Sequence, residues 1–507
     1  MKALWKYHKI PFLFFIVSSL LYLWFAYAIV RTNTIQLLFA YVLLFAFAYK
    51  IISSSEFNSS KFKLLVVFSI VLRLLFLFAT PNLSQDFYRF IWDGRMILEG
   101  FNPYLYTPDS FMDSGKFPVA QAQELYNGMG ELSASHYTNY PPINQVLFTV
   151  AALFSGHSIL GSAIVMRLII IVADIGTLYF GKKLLERLNL PSKRIFWYIL
   201  NPFIIIELTG NLHFEGVMIF FLIWSLYLLH SGKWKWAAVV FACSISVKLI
   251  PLMLLPLFFG WFRKNSVISN DIEKPKKPFI PTDIGSAEGD IPVNLNLSNK
   301  DASTALNMPS KNKTSKVFKT IKVSYQKLIT FYIIIGLTTL LLFLPFFSME
   351  FVTNYSKTVG LWFGNFEFNA SIYYLARAIG YAQTGYNEIA IIGKILPVIS
   401  VLIILGLSIF KPNNSLPKLM TSMLLALSFY LFLSTTVHPW YIATLVVLSL
   451  FTNYKFPLVW SLVVVLSYLA YSNTDNSENL WIIAIEYVIV FSVFIWEVIL
   501  KKRLPVS

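Results

Sequence analysis

Cysteine is nearly missing from this chain: Cys243 stands alone among 507 residues. No intrachain disulfide can form, and cysteine usage carries no information on redox compartment. Charge is sparse too, at 13% of residues, and acids are outnumbered by bases, 25 to 41. No internal repeat is visible. The ten-residue alternation that marks a membrane β-barrel is missing as well.

What fills the space is apolar. Hydrophobic residues make up 57% of the chain and the mean hydropathy is +0.64, where a soluble chain is roughly 45–50% apolar. The excess sits in runs such as PFLFFIVSSLLYLWFAYAIV (11–30) and FYIIIGLTTLLLFLPFF (331–347). A bilayer core needs about 20 mostly apolar residues per helix. In lipid each backbone polar group must be paired within its own element, so these runs are helices. The expected fold is all-α: a polytopic bundle of about 13–15 spans.

The formal charge of +16 does not mark a nucleic-acid partner. The basic residues gather in short segments between apolar runs, as the positive-inside rule expects. The start resembles a signal peptide, but its apolar run exceeds an h-region of roughly 7–15 residues, so it reads as an uncleaved first span. Spans are expected near 10–30, 34–52, 63–80, 160–182, 194–209, 214–230, 234–249, 250–262, 328–347, 389–410, 417–437, 439–452, 456–472 and 479–500. Lys2, Lys6 and Lys9 place the start inside. Lys50, Lys182, Lys183, Arg187, Lys233 and the tail Lys501, Lys502 and Arg503 then fall inside too. This holds if 141–156, which opens on Pro141-Pro142 and is short for a span, is a half-helix that does not cross. The expectation is a multi-pass cell (inner) membrane protein with both termini cytoplasmic. An N-terminal half, 1–262, and a C-terminal half, 328–507, flank a basic linker at 263–327. That linker has twelve Lys/Arg against six Asp/Glu and too little apolar surface to fold alone.

The first long outside segment, about 81–140, opens with TPNLSQDFYRFIWDGRMILEGFNPYLY. Ser84 can cap a helix there and Gly100 can end it in the left-handed region. On that helix Asp86, Arg89, Asp93 and Arg95 are polar while Phe87, Phe90, Ile91, Ile97 and Leu98 are apolar. It reads as an amphipathic helix at the membrane interface, with Tyr88 and Trp92 suited to that depth. Asp86 and Asp93 are two turns apart, so both carboxylates leave the same face about 10 Å apart. Moving a sugar from a phosphate carrier needs a base for the acceptor hydroxyl and positive charge for the departing phosphate. Such a helix can supply both. An interfacial helix whose charges face water accounts for the same pattern.

Asp86-x-x-Arg89-Phe90-x-Trp92-Asp93-Gly94, with Gly100-x-Asn102-Pro103-Tyr104, resembles the first-loop motif of GT-C class membrane glycosyltransferases. It is most similar to bacterial polyprenol-phosphate-mannose-dependent mannosyltransferases. Further pieces match in order: Tyr140-Pro141-Pro142, Asp174 in the span after it, Asn201-Pro202-Phe203 with Glu207, Gly210-Asn211-x-His213-x-Glu215-Gly216, Lys248-x-x-Pro251, and His438-Pro439-Trp440-Tyr441. Where the family reads His-Asn-Asp, this chain reads His213-Phe214-Glu215. The resemblance implies a GT-C bundle that transfers a hexose with inversion at the outer face, with Asp86 as base and Asp93 beside it. The donor would be a lipid-phosphate sugar and the acceptor a glycan or glycolipid. Arg89, Asn102, Tyr104, Tyr140, His213, Glu215, Lys248, His438, Trp440 and Tyr441 are the substrate-binding candidates. No soluble strand-and-helix domain is visible, which argues against a nucleotide-sugar donor.

Arg377, in FEFNASIYYLARAIG, is a candidate second phosphate contact. Lys248 is either a phosphate partner or a lysine snorkelling to the interface. His438-Pro-Trp-Tyr441 is also read as part of an aromatic belt. No cofactor is expected; His213 and Glu215, even with Asp86, are a thin ligand set for a divalent ion. Arg73, Arg167 and Asp174 read as buried structural pairs. Two other functions stay open: another envelope-glycan transferase or polymerase, and a lipid or sugar transporter or flippase.

Overall fold

The computed structural model describes residues 2–53, 57–263, 311–364, 366–473, 475 and 477–501. Among the described residues helices dominate and no strand forms beyond one bridge between Phe368 and Thr436. Seven of the described helices are long and apolar enough to cross a membrane: Ile10–Tyr27, Thr34–Ser53, Ile159–Arg187, Tyr325–Phe346, Ile389–Phe410, Leu416–Leu433 and Leu480–Leu500. An eighth crossing arises if Pro202–Gly210 and Glu215–His230, bent by 114°, form one broken span. Five more apolar helices, including Pro142–Ser155, Trp234–Val247 and Pro439–Ser449, have only 10–17 residues. The architecture is thus an all-α polytopic bundle, with fewer full-length spans than the apolar runs suggest and shorter helices packed among them. Pro142–Ser155 has 14 residues, about 21 Å of helix against about 30 Å of hydrocarbon. Of the linker expected at 263–327, residues 264–310 lie outside the described residues. From Lys311 a helix runs to Phe343.

The two halves share one hydrophobic core. Tyr41 donates to Ser461 O at 2.7 Å, and Asn201 Nδ2 to Ser461 Oγ at 3.1 Å. Across the same divide, Asn102 Nδ2 donates to Phe346 O at 3.1 Å and Asn354 Nδ2 to Tyr104 O at 3.2 Å.

Two arginines inside the bundle are committed to internal partners. Arg73 pairs with Asp174 at 2.7 Å and gives Nη1 to the carbonyls of Ser69 and Ile199. Arg167 donates to the carbonyls of Thr209 (2.9 Å), Gly210 (3.0 Å) and Leu77 (2.9 Å). Two of these carbonyls are released where the helix breaks at Gly210. There the last turns widen into a π-helix over Ile205–Gly210, and Leu212 takes φ 62° to redirect the chain. Arg167 and Asp174 share a face, as their spacing suggests, but they serve different neighbours.

The loop helix spans Asp86–Leu98. It ends as expected: Gly100 has φ 81°, Gly100 N donates to Ile97 O, and Phe101 N donates to Met96 O at 2.9 Å, the Schellman arrangement. Its start differs. Gln85 holds the capping position without a side-chain bond, and Ser84 Oγ accepts from Asp86 N at 3.3 Å. The polar face does not meet water either. Arg89, Asp93 and Arg95 are buried, and so is Trp92, whose indole contacts Met96 Sδ instead of anchoring at an interface. The loop beyond the helix folds back over that face. Arg89 Nη1 donates to Ser133 O and His136 O, and Arg95 donates to Ala120 O and His157 O.

The helix packs on Pro142–Ser155 at backbone contact. A Cβ on Gly94 would lie 2.3 Å from Phe148 O, so only glycine fits. Beside it Phe90 stacks on Phe148 at 4.6 Å, and both meet Phe214 edge-on.

Removing Arg73 leaves Asp174 buried without its partner. Arg73→Ala is expected to cost about 3–5 kcal/mol of stability, read as a lower thermal midpoint of the purified protein in detergent. An unchanged midpoint would mean that Asp174 finds another donor.

Candidate active site

Asp86 begins the loop helix, seven residues before Asp93. Its carboxylate keeps partial solvent access, though protein surrounds it on most sides. Among the described residues it makes no ion pair. Burial pushes its pKa up, Lys248 opposes this and Glu215 adds to it, leaving it at about 6.

Lys248 caps Trp234–Val247 with extended backbone, so its side chain leaves the helix and reaches inward. Its ammonium lies 3.0 Å from Glu215 and 5.1 Å over the Tyr140 ring. It is held beside Glu215 rather than snorkelling to an interface. Glu215 is fully buried, and its Oε2 has no hydrogen-bond partner. Tyr140 and Tyr441 both lie within electrostatic reach of Asp86 and Glu215. Burial, then the Asp86 charge, raises the Tyr140 phenol well above its ordinary value, so it is a neutral hydrogen-bonding group.

His213 lies in the break of the bent pair. Its Nε2 is 3.9 Å from Glu207 Oε2 and has no hydrogen-bond partner. Its ring stacks on Trp440 at 3.6 Å, and His438 stacks near Trp440 at 4.6 Å, 5° from parallel. Both histidine rings lie nearly parallel to the indole. Glu207 itself accepts from the Tyr468 hydroxyl at 2.9 Å.

Asp86, Tyr140, His213, Glu215, Lys248, His438, Trp440 and Tyr441 are therefore brought into one neighbourhood. Four other candidates stand behind it. Asp93 is fully buried, accepts from Arg89 Nε at 2.8 Å and from Gln145 Nε2 at 3.1 Å, and is not open to a substrate proton. Arg89 is committed to Asp93 and the loop carbonyls. Asn102 makes a turn with Tyr104 N, and the Tyr104 hydroxyl donates to Tyr140 O at 2.6 Å, fixing the wall from outside. Arg377 belongs to a separate cluster: it pairs with Glu367, which also accepts from Tyr373 and Asn387.

Sequence reasoning missed Arg31, Gln85 and Tyr471. Arg31 Nη2 reaches Gln85 Oε1 at 3.3 Å, and its guanidinium lies 4.7 Å over the Tyr471 ring. Tyr471 is within electrostatic reach of Asp86 and Glu207. A single arginine in the short turn between the first two spans was the available signal.

No three His, Cys, Asp or Glu side chains among the described residues are placed to share a metal ion. Beside Glu215 the cation is Lys248, so His213, Glu215 and Asp86 do not fit a divalent site.

Fold and site together define a polytopic membrane protein with one uncommitted carboxylate among cations and aromatics at the end of a helical bundle. Residues 11–264, half of the chain, match the MptA_B family, described as alpha-(1->6)-mannopyranosyltransferase, N-terminal domain, and the chain belongs to that family. Alpha-(1->6)-mannopyranosyltransferase A of Corynebacterium glutamicum is 21% identical over 186 residues, 36% of this chain and 36% of that protein. The Mycobacterium tuberculosis protein of the same name is 21% identical over 189 residues, 37% of this chain and 35% of the relative. The chain thus spans about a third of the length of the curated relatives it matches.

A carboxyl raised to about 6 binds its proton more readily in the folded chain than in the unfolded one, where it sits near 3.9. That stabilisation is complete below about pH 4 and is lost as pH rises through about 6. At neutral pH the charged Asp86 opposes folding. Asp86→Asn is expected to raise the thermal midpoint at pH 7.5 more than at pH 4.5. An equal change at both pH values would contradict the raised pKa.

Proposed function

We propose that this protein is an inverting glycosyltransferase that moves mannose from a polyprenyl-phosphate sugar to a glycan or glycolipid acceptor. The family membership supports mannosyl transfer. The observation that carries the assignment is the contrast between two carboxylates on one helix. Asp93 is locked to Arg89 and Gln145, whereas Asp86 is reachable, unpaired and held near pH 6.

Asp86 acts as general base. It takes the acceptor hydroxyl proton as that oxygen attacks the anomeric carbon. The bond from that carbon to the phosphate oxygen breaks, and polyprenyl phosphate leaves. Inversion of a β-linked donor gives an α product, the linkage in the relatives' names. Lys248 and the positive end of the loop helix favour the anionic group near Asp86. His213, Glu215 and the indole N–H of Trp440 offer polar contacts for sugar hydroxyls. Asp93 and Arg89 are positioning residues that pin the loop.

The donor's phosphate sits at headgroup depth, and so does a carboxylate at the end of the bundle. By the distribution of basic residues that end is the outer face of the cell membrane, with both termini cytoplasmic. A transporter would also use a broken helix such as the one bent at 114°. Here the reachable carboxylate lies beyond the break, on a loop helix.

The test offers labelled polyprenyl-phosphate-mannose and a panel of glycan acceptors to the purified protein in vesicles. Transfer is expected, with kcat/KM falling below about pH 6 as Asp86 protonates. Asp86→Asn should lower kcat by about 10²–10⁴ with the protein still folded. Full activity in that variant would remove Asp86 from the mechanism. Movement of lipid or sugar without a new glycosidic bond would favour the transporter.

A further inference from the structure

We propose that Arg31 holds the phosphate of the lipid-linked donor, an assignment that rests on the lipid-phosphate reading above. The reasoning is one of elimination followed by geometry. Arg73, Arg89 and Arg377 are each paired with a carboxylate. Arg95, Arg167 and Arg194 are spent on backbone carbonyls. Lys248 is paired with Glu215 at 3.0 Å. Around Asp86 there are therefore two carboxylates, Asp86 and Glu215, against one ammonium. A phosphodiester anion entering there needs a further cation, because like charges in a partly desolvated site repel strongly.

Arg31 is that cation. It is half-buried and has no carboxylate or backbone-carbonyl partner among the described residues. Its contacts are both neutral: the Gln85 amide oxygen at 3.3 Å and the Tyr471 ring at 4.7 Å. Gln85 immediately precedes Asp86, so the contact ties the guanidinium to the start of the loop helix. A guanidinium held by one amide bond and an aromatic ring keeps further N–H donors for an anion, and arginine takes phosphate with two hydrogen bonds. Its position is also unusual for a membrane protein. On the orientation above, the turn between the first two spans is outside, where arginine is disfavoured. An uncompensated arginine there calls for an anionic partner, and the donor brings one.

Two measurements test this separately from the overall function. In the first, purified wild-type protein and Arg31→Gln are titrated with polyprenyl phosphate, which lacks the sugar, and binding is read from the thermal midpoint. Arg31→Gln should weaken binding about ten- to a hundredfold, Arg31→Lys should recover part of it, and the ligand-free midpoints should stay close. Equal binding by wild type and Arg31→Gln, or no binding by either, overturns the assignment. So does an equal response to phosphatidylglycerol vesicles or inorganic phosphate, which would make Arg31 a general headgroup anchor. In the second, transfer kinetics should show a raised KM for polyprenyl-phosphate-mannose in Arg31→Gln with the acceptor KM unchanged. Failure of the wild type to transfer from any lipid-phosphate donor would defeat the functional reading, while the binding result would still decide the role of Arg31.

Discussion

Arg167 makes the site possible by solving a problem of unpaired carbonyls. A helix that breaks inside a bundle releases backbone groups that cannot find water. Here the break at Gly210 releases the carbonyls of Thr209 and Gly210, and one guanidinium takes both while also holding Leu77 O. The chain can then turn by 114° before resuming as Glu215–His230. His213 and Glu215 occupy that turn and the first position after it. Without a donor at this point the cheaper course would be a straight helix, and those side chains would be scattered along it. Arg167 touches none of the groups assigned to substrate, yet it fixes where they stand.

A second buried pair does the same for the loop. Asp93 and Arg89 are one turn apart and close on each other, and Arg89 then binds the carbonyls of Ser133 and His136. The returning loop is thereby clamped over the polar face of its own helix. Gly94 lets that helix press against Pro142–Ser155 at backbone distance. The result is a rigid mount for Asp86, which sits at the end of the same helix just outside the clamp. Burying an ion pair gains little net stability, but it fixes geometry.

How much of this was legible in the sequence depends on how far apart the partners lie. Local rules worked: the helix 86–98, its glycine terminus and the short helix after Pro141-Pro142 follow from spacing and turn chemistry. The neighbourhood of Asp86, His213, Glu215, Lys248 and His438-Pro-Trp-Tyr441 followed from motif order. What failed was any inference about what covers a face. Asp86 and Asp93 share a face by spacing, but nothing in the helix tells that the loop at 133–136 returns over one and leaves the other open. Trp92 looked like an interface anchor for the same reason. Arg377 looked available because Glu367, ten residues earlier, gives no sign of folding back upon it. Arg31 stood out only as a lone arginine in a turn, because its partners lie 54 and 440 residues away.

These outcomes share a cause. In a chain with so few charges, each ionised side chain near the hydrocarbon must find a partner or neutralise. The bundle pairs almost all of them, and the pairing separates structural charges from chemical ones more sharply than any motif does. Among the carboxylates of the loop helix only Asp86 is left unpaired, and among the described cations nearby Arg31 has only a neutral side-chain amide and a ring. A base must be free to take a proton, and an anion site must be free to take an anion. Incomplete pairing is costly for stability, and Asp86 and Arg31, tied through Gln85 at 3.3 Å, bring two such groups to the start of one helix. That concentration, rather than the number of polar residues there, is the physical argument for a reaction centre at Asp86.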